Sequence, residues 1–201
     1  MFLTGCKPIE DIEVNLDPKI PINSFQDVEA LEHDTFVKPD FIKPFITAKQ
    51  QSRSNLCWAA VTEMVSEVPQ CAIAAKVFGL SEEQCCNTSL SYSSTVCNRT
   101  YNTSKAFEKS GILSQQIDGS ISEEQLKFEL ANNRPVEISL RSEDAIVGHA
   151  ILAVGYSTSG IAIADPRFPN LFWYRYDRLL TDIKVSGITA KSHKTIYQIQ
   201  N

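Results

Sequence analysis

The chain has 201 residues, 43% of them hydrophobic, which is enough for the core of one globular domain with an appendage. Its formal net charge of -5 falls entirely within the first 45 residues, where four Lys face nine Asp or Glu, and the other 156 residues are neutral overall. A neutral body without a Lys/Arg cluster argues against nucleic acid as a partner, and no apolar run approaches the roughly 20 residues that a membrane-spanning helix needs.

Residues 1–45 contain Pro8, Pro18, Pro21, Pro39 and Pro44, many acids and no sustained periodicity, so they read as an extended leader or linker ahead of a folded domain at 46–201. Leu3-Thr4-Gly5-Cys6 resembles a bacterial lipobox, which makes Cys6 a lipidation candidate. A lipid there would be the sole membrane contact, with a secreted or cell-envelope location. Phe25, Phe36, Phe41 and Phe45 also give residues 20–45 the composition of a pro-segment able to lie across a cleft.

From residue 54 the pattern is helical. Ser54 or Asn55 can cap, and Cys57, Ala60, Val61, Met64 and Val65 recur at helical spacing, placing Cys57 in the first turn. A second helix is predicted over Ala72 to Phe78, stopping at Gly79, and a third over Thr103 to Lys109, before Gly111. A fourth begins at Ser122, where Ser122 and Gln125 form a capping-box pattern, and runs to Ala131.

After Pro135 the period changes to two, with Val136, Ile138 and Leu140 on one face. Strand-like runs follow at His149 to Gly155, Ile161 to Ala164, Leu171 to Tyr176 and Thr195 to Ile199, with a turn at Ser157 to Gly160. Helices first and antiparallel strands afterwards is an α+β order without βαβ alternation.

Four of the six cysteines, Cys71, Cys85, Cys86 and Cys97, crowd into a polar stretch. They lack the paired C-x2-C or H-x3-H spacing of a zinc site, so they read as disulfide candidates and no metal is implied. A bridge between the adjacent Cys85 and Cys86 would be strained, so Cys71 is expected to pair with one of them and Cys97 with the other. An oxidising compartment follows.

Cys57 at a helix N-terminus faces unpaired N–H groups and the positive end of the helix dipole, which favour thiolate. Gln51 lies six residues ahead, close enough to join the Cys57 N–H in binding a developing oxyanion. Gly148-His149-Ala150-Ile151 opens a strand, and Asp165-Pro166 ends the next. In a hairpin turning at Ser157 to Gly160, His149 and Asp165 fall almost opposite each other, so the carboxylate can hold the imidazole in the tautomer that takes a proton from Cys57. His33 and His193 have no comparable setting and read as surface residues.

The segment Gln51-Ser-Arg-Ser-Asn-Leu-Cys57-Trp58-Ala59-Ala60 resembles the nucleophile motif of the papain superfamily, and the later His149 and Asp165-Pro166 follow in that superfamily's chain order. The resemblance covers most of residues 46 to 201. It extends to bacterial papain-like peptidases, among them effector proteases of plant pathogens and double-glycine leader peptidases. The Cys-Cys insert is most similar to the effector-related group. The chain departs from plant papain in having Asp rather than Asn as third member and in lacking the Asn-Ser-Trp tripeptide.

The resemblance implies a two-lobed papain-like fold and a monomeric cysteine peptidase. Cys57 would be the nucleophile, His149 the base, Asp165 the orienting group and Gln51 the oxyanion donor, with a peptide or protein substrate and no cofactor. A transamidase on the same triad and a catalytically silent binding module are the alternatives. The second would show a substituted site residue, and none is substituted.

Overall fold

The computed structural model describes residues 41–42, 46–86, 96–142, 148–157, 160–181, 183–185 and 188–200. After a short strand β1 (Phe41–Ile42) come the helices α1 (Cys57–Ser66), α2 (Gln70–Phe78), α3 (Glu82–Cys86) and α4 (Thr103–Ser110), the strand β2 (Leu113–Asp118) and the helix α5 (Glu123–Ala131). The rest is β3 (Val136–Ser142), β4 (Gly148–Tyr156), β5 (Ile161–Ala164), β6 (Leu171–Tyr174), the short helix α6 (Tyr176–Thr181), β7 (Ile183–Val185) and β8 (Ile188–Gln200). All strand pairings are antiparallel along the path β2-β8-β3-β4-β5-β6, with β1 added on β4 and β7 on β8. The fold is α+β, as the order of periodicities implied.

β4 is the centre of the molecule. Ala150, Leu152 and Val154 pack into one cluster with Cys57, Val61 and Met64 of α1 and Phe107 of α4. Ile151 and Ala153 join the other cluster, with Leu126 and Leu130 of α5 and Leu179 of α6. Burial of both faces is why this antiparallel strand reads as an unbroken apolar run rather than an alternating one.

α1 is likewise shared between two layers. Trp58 and Ala59 turn away from the sheet into a cluster with Ile73, Ala74 and Val77 of α2, Ala106 of α4, Cys85 and Cys97. The Trp58 Nε1–H donates to the Arg99 carbonyl at 2.9 Å, and its ring meets Phe78 and Tyr101 at centroid distances of 5.9 and 5.4 Å. Two disulfides, Cys71–Cys86 and Cys85–Cys97, secure this half, and the structure thereby selects one of the two pairing schemes that the sequence left open.

Several expectations need correction. Phe41 and Ile42, assigned to the leader, pair with Tyr156 and Gly155 of β4. α1 receives no cap from Ser54 or Asn55. Its N-cap is Leu56, with no side-chain hydrogen bond. α3 and α6 are too short for helical periodicity to show. β2 has an outer-edge position and a mostly exposed pattern, with Leu113 70% exposed, so no alternation announces it. β6 ends at Tyr174, and β8 starts at Ile188 rather than at Thr195.

Stop signals were more reliable. Gly79 and Gly111 end α2 and α4 at φ of 66° and 81°, a region glycine enters without Cβ strain. At α5, Ser122 Oγ accepts from the Gln125 N–H at 3.1 Å, but the Gln125 amide donates onward to Glu129 instead of closing the box.

Candidate active site

Cys57 opens α1 and is 4% exposed. The loop before it is held from outside the helix. Asn98 donates through Nδ2 to Ser54 Oγ at 2.8 Å, accepts from the Asn55 N–H at 2.8 Å and, through its carbonyl, accepts from Asn55 Nδ2 at 3.2 Å. Ser54 and Asn55 are thus engaged with the disulfide-tied loop, and the N-cap residue Leu56 makes no side-chain hydrogen bond to the first turn of α1. Cys57 is itself disulfide-bonded. A sulfur so bonded is not a nucleophile, so any attack by Cys57 requires its prior reduction.

His149 is the second residue of β4 and is 4% exposed. Its Nε2 lies 2.7 Å from Oδ1 of Asp165, itself 2% exposed. The two are near neighbours across the strands without being directly opposite. Leu152 pairs with Ala164, and an irregularity follows between Ala153 and Gly155. Continuing that register sets Asp165 across from Ile151, one diagonal step from His149 on the same face. The turn itself closes through the Ser157 N–H donating to the Gly160 carbonyl at 2.8 Å. A Cβ on Gly160 would come within 2.8 Å of the Tyr174 carbonyl oxygen, so the neighbouring strand requires glycine there.

Asp165 has a second partner that the sequence did not announce. The Arg167 N–H donates to Oδ1 at 3.0 Å, its Nε lies 3.1 and 3.0 Å from Oδ1 and Oδ2, and its NH2 group also donates to Oδ2. Burial pushes the Asp165 carboxyl up, but the charge of Arg167 foremost, then that of His149, holds it well below the ordinary 3.8. Asp165 is therefore an anion throughout the neutral range.

Gln51 is buried and joined to the same loop, its N–H donating to the Pro166 carbonyl at 2.6 Å. Its side-chain nitrogen donates to the carbonyls of Arg53 and Ser54 at 2.9 and 2.8 Å, so the amide turns along its own loop. Gln50 Nε2 donates to the Arg167 carbonyl at 3.0 Å, and Gln70 accepts from the Ser52 N–H and donates to the Gln50 carbonyl. These bonds join the segment before Cys57 to the Asp165–Arg167 loop across more than a hundred residues of chain. Among the described residues, no three His, Cys, Asp or Glu side chains converge as a metal site would require.

The sequence profile of the family described as papain-like cysteine protease AvrRpt2 matches residues 45–170, a span holding Gln51, Cys57, His149 and Asp165. The chain belongs to this family. It is a cysteine peptidase of papain-like fold, and a protease of this kind acts on peptide or protein substrates. Among solved structures it is similar to a C39-like peptidase from Bacillus anthracis, with 14% identity over 78% of this chain and 96% of that one at a TM-score of 0.49. It is also similar to the Pseudomonas avirulence protein AvrPphB, with 16% identity over 49% of this chain and 59% of that one at a TM-score of 0.25. No curated protein matches it.

In this papain-like protease, Arg167 and Asn98 are the site neighbours that sequence reasoning missed. The signal for Arg167 was present, since Asp-Pro-Arg at a strand end puts a cation two residues from the carboxylate. Asn98 carried no such signal, and its 9% exposure and two side-chain bonds to Ser54 and Asn55 show a structural use of that side chain. The lipidation candidate Cys6, His33 and most of residues 20–45 lie outside the described residues. His193 is part-buried, 3.4 Å from Arg141.

Proposed function

We propose that the protease hydrolyses peptide bonds through a Cys57–His149–Asp165 triad and a thioester acyl-enzyme. The observation that carries this reading is the buried 2.7 Å contact of His149 Nε2 with Asp165, on the strand against which the Cys57 helix packs. With Nε2–H donated to the carboxylate, Nδ1 is the ring nitrogen that takes the Cys57 proton. The thiolate attacks the scissile carbonyl, the Cys57 N–H binds the oxyanion, and His149 returns the proton to the leaving amine. Water then hydrolyses the thioester. Gln51 joins the oxyanion hole once its amide turns from the Arg53 and Ser54 carbonyls.

Turnover starts from reduced Cys57, with Cys71–Cys86 and Cys85–Cys97 intact. These two bonds support a secreted or cell-envelope location. In that setting residues 46–201, with Phe41 and Ile42 paired on β4, act as a monomeric catalytic domain.

The test is digestion of a diverse peptide mixture by wild type and Cys57→Ala under mild reductant, read by mass spectrometry. Cleavage is expected from wild type alone. Products that persist in Cys57→Ala would remove Cys57 from the mechanism, and amine adducts in place of hydrolysed ends would make the enzyme a transamidase.

A further inference from the structure

Arg167 is 10% exposed at its side chain, a depth at which a guanidinium needs a partner. Its planar fork spans both oxygens of Asp165, a match that an ammonium group could not reproduce. Three further contacts fix it in place. Its own N–H donates to Asp165 Oδ1, its carbonyl is held by Gln50, and its guanidinium carbon lies 5.4 Å from the centroid of the Phe168 ring. The carboxylate that receives His149 Nε2–H is thus already ion-paired.

We propose that Arg167 is a positioning residue of the site, whose guanidinium holds and neutralises Asp165 so that His149 is oriented by an acceptor of no net charge. The proposal rests on the triad reading above and deepens it. An unpaired buried carboxylate would draw His149 towards imidazolium and make it a poor base. The Asp165–Arg167 pair supplies the hydrogen-bond acceptor that fixes the tautomer without that pull, as a carboxamide would.

The other titratable groups facing the pair are consistent with this. Tyr174 of β6 stays a neutral phenol, its pKa raised by burial first and by the Asp165 charge second. The Gln50–Gln51 segment meets the loop through uncharged groups.

The experiment is a ring-proton NMR titration of His149 in a Cys57→Ala background, with the signal assigned by His149→Gln and His193 as an internal reference. It needs no turnover, so its result stands apart from the fate of the triad. Arg167→Gln is expected to raise the His149 pKa by about one unit, and Asp165→Asn, which leaves the guanidinium, to lower it by about as much. Asp165→Asn with Arg167→Gln should return it to near the parent value, and this double variant buries no uncompensated charge. In otherwise wild-type protein, Arg167→Gln should move the acidic limb of the kcat/KM profile upward with His149. An unchanged His149 titration in Arg167→Gln, or a double variant that does not return, would overturn the proposal and leave Arg167 a packing residue.

Discussion

Glu137 on β3 has no exposed surface. It pairs across the strands with Leu152 and Ile196, so an acid occupies a position whose neighbours are aliphatic. Ser139 Oγ donates to its Oε1 at 2.8 Å, while Oε2 has no hydrogen-bond partner among the described residues. Burial raises its pKa from 4.5 to about 8, against smaller opposing effects of Ser139, Thr103 and Lys194. The folded state therefore keeps a proton that the unfolded chain has lost, and stability falls as pH rises between about 4.5 and 8. Glu137→Gln mimics the protonated form. Denaturant midpoints should be similar for the two proteins at pH 5 and clearly higher for the variant at pH 8. Parallel midpoints at both pH values would show that Glu137 is ionised in the folded protein.

At the scale of elements, the start of α1 depends on a partner more than forty residues away. Helical periodicity correctly set Cys57 in the first turn, yet the expected caps Ser54 and Asn55 are bound to Asn98 instead. Local sequence could not show this, because Asn98 reaches the loop through the Cys85–Cys97 bond and the packing of Trp58 against Phe78 and Tyr101. Asn98→Ala is expected to cost about 1–3 kcal/mol of stability, since it leaves buried polar partners unmatched. It should also change the rate at which a thiol-directed probe labels reduced Cys57. A labelling rate equal to wild type would mean that Asn98 stabilises the helical half without setting the nucleophile's position. β4 and β5 were legible as strands from apolar run length and the Ser157–Gly160 turn. Their register was not, because an irregularity leaves no composition signature, and the diagonal His149–Asp165 pairing follows from it.

The whole molecule contains two kinds of disulfide use. Cys71–Cys86 and Cys85–Cys97 close loops with sequence separations of 15 and 12 within the helical half, and each is expected to contribute about 3 kcal/mol by restricting the unfolded chain. The bond at Cys57 instead occupies the sulfur that the proposed mechanism needs. Stepwise addition of reductant should therefore first switch on probe labelling of Cys57 and peptide cleavage. Activity and thermal stability should then fall together as Cys85–Cys97 opens, with each step followed by mass mapping of alkylated cysteines. Full activity without any reductant would show that Cys57 is a thiol in solution.

The sequence by itself determined the α+β order, the family motif around Cys57 and the candidates His149, Asp165 and Gln51, because periodicity and residue spacing are local properties. Tertiary structure alone decided which cysteines pair, that Asn98 holds the nucleophile loop and that Glu137 is sealed within the sheet. Each of these depends on chain segments meeting after collapse, where burial strengthens electrostatics and every polar group must find a partner, and no neighbouring residue records that outcome.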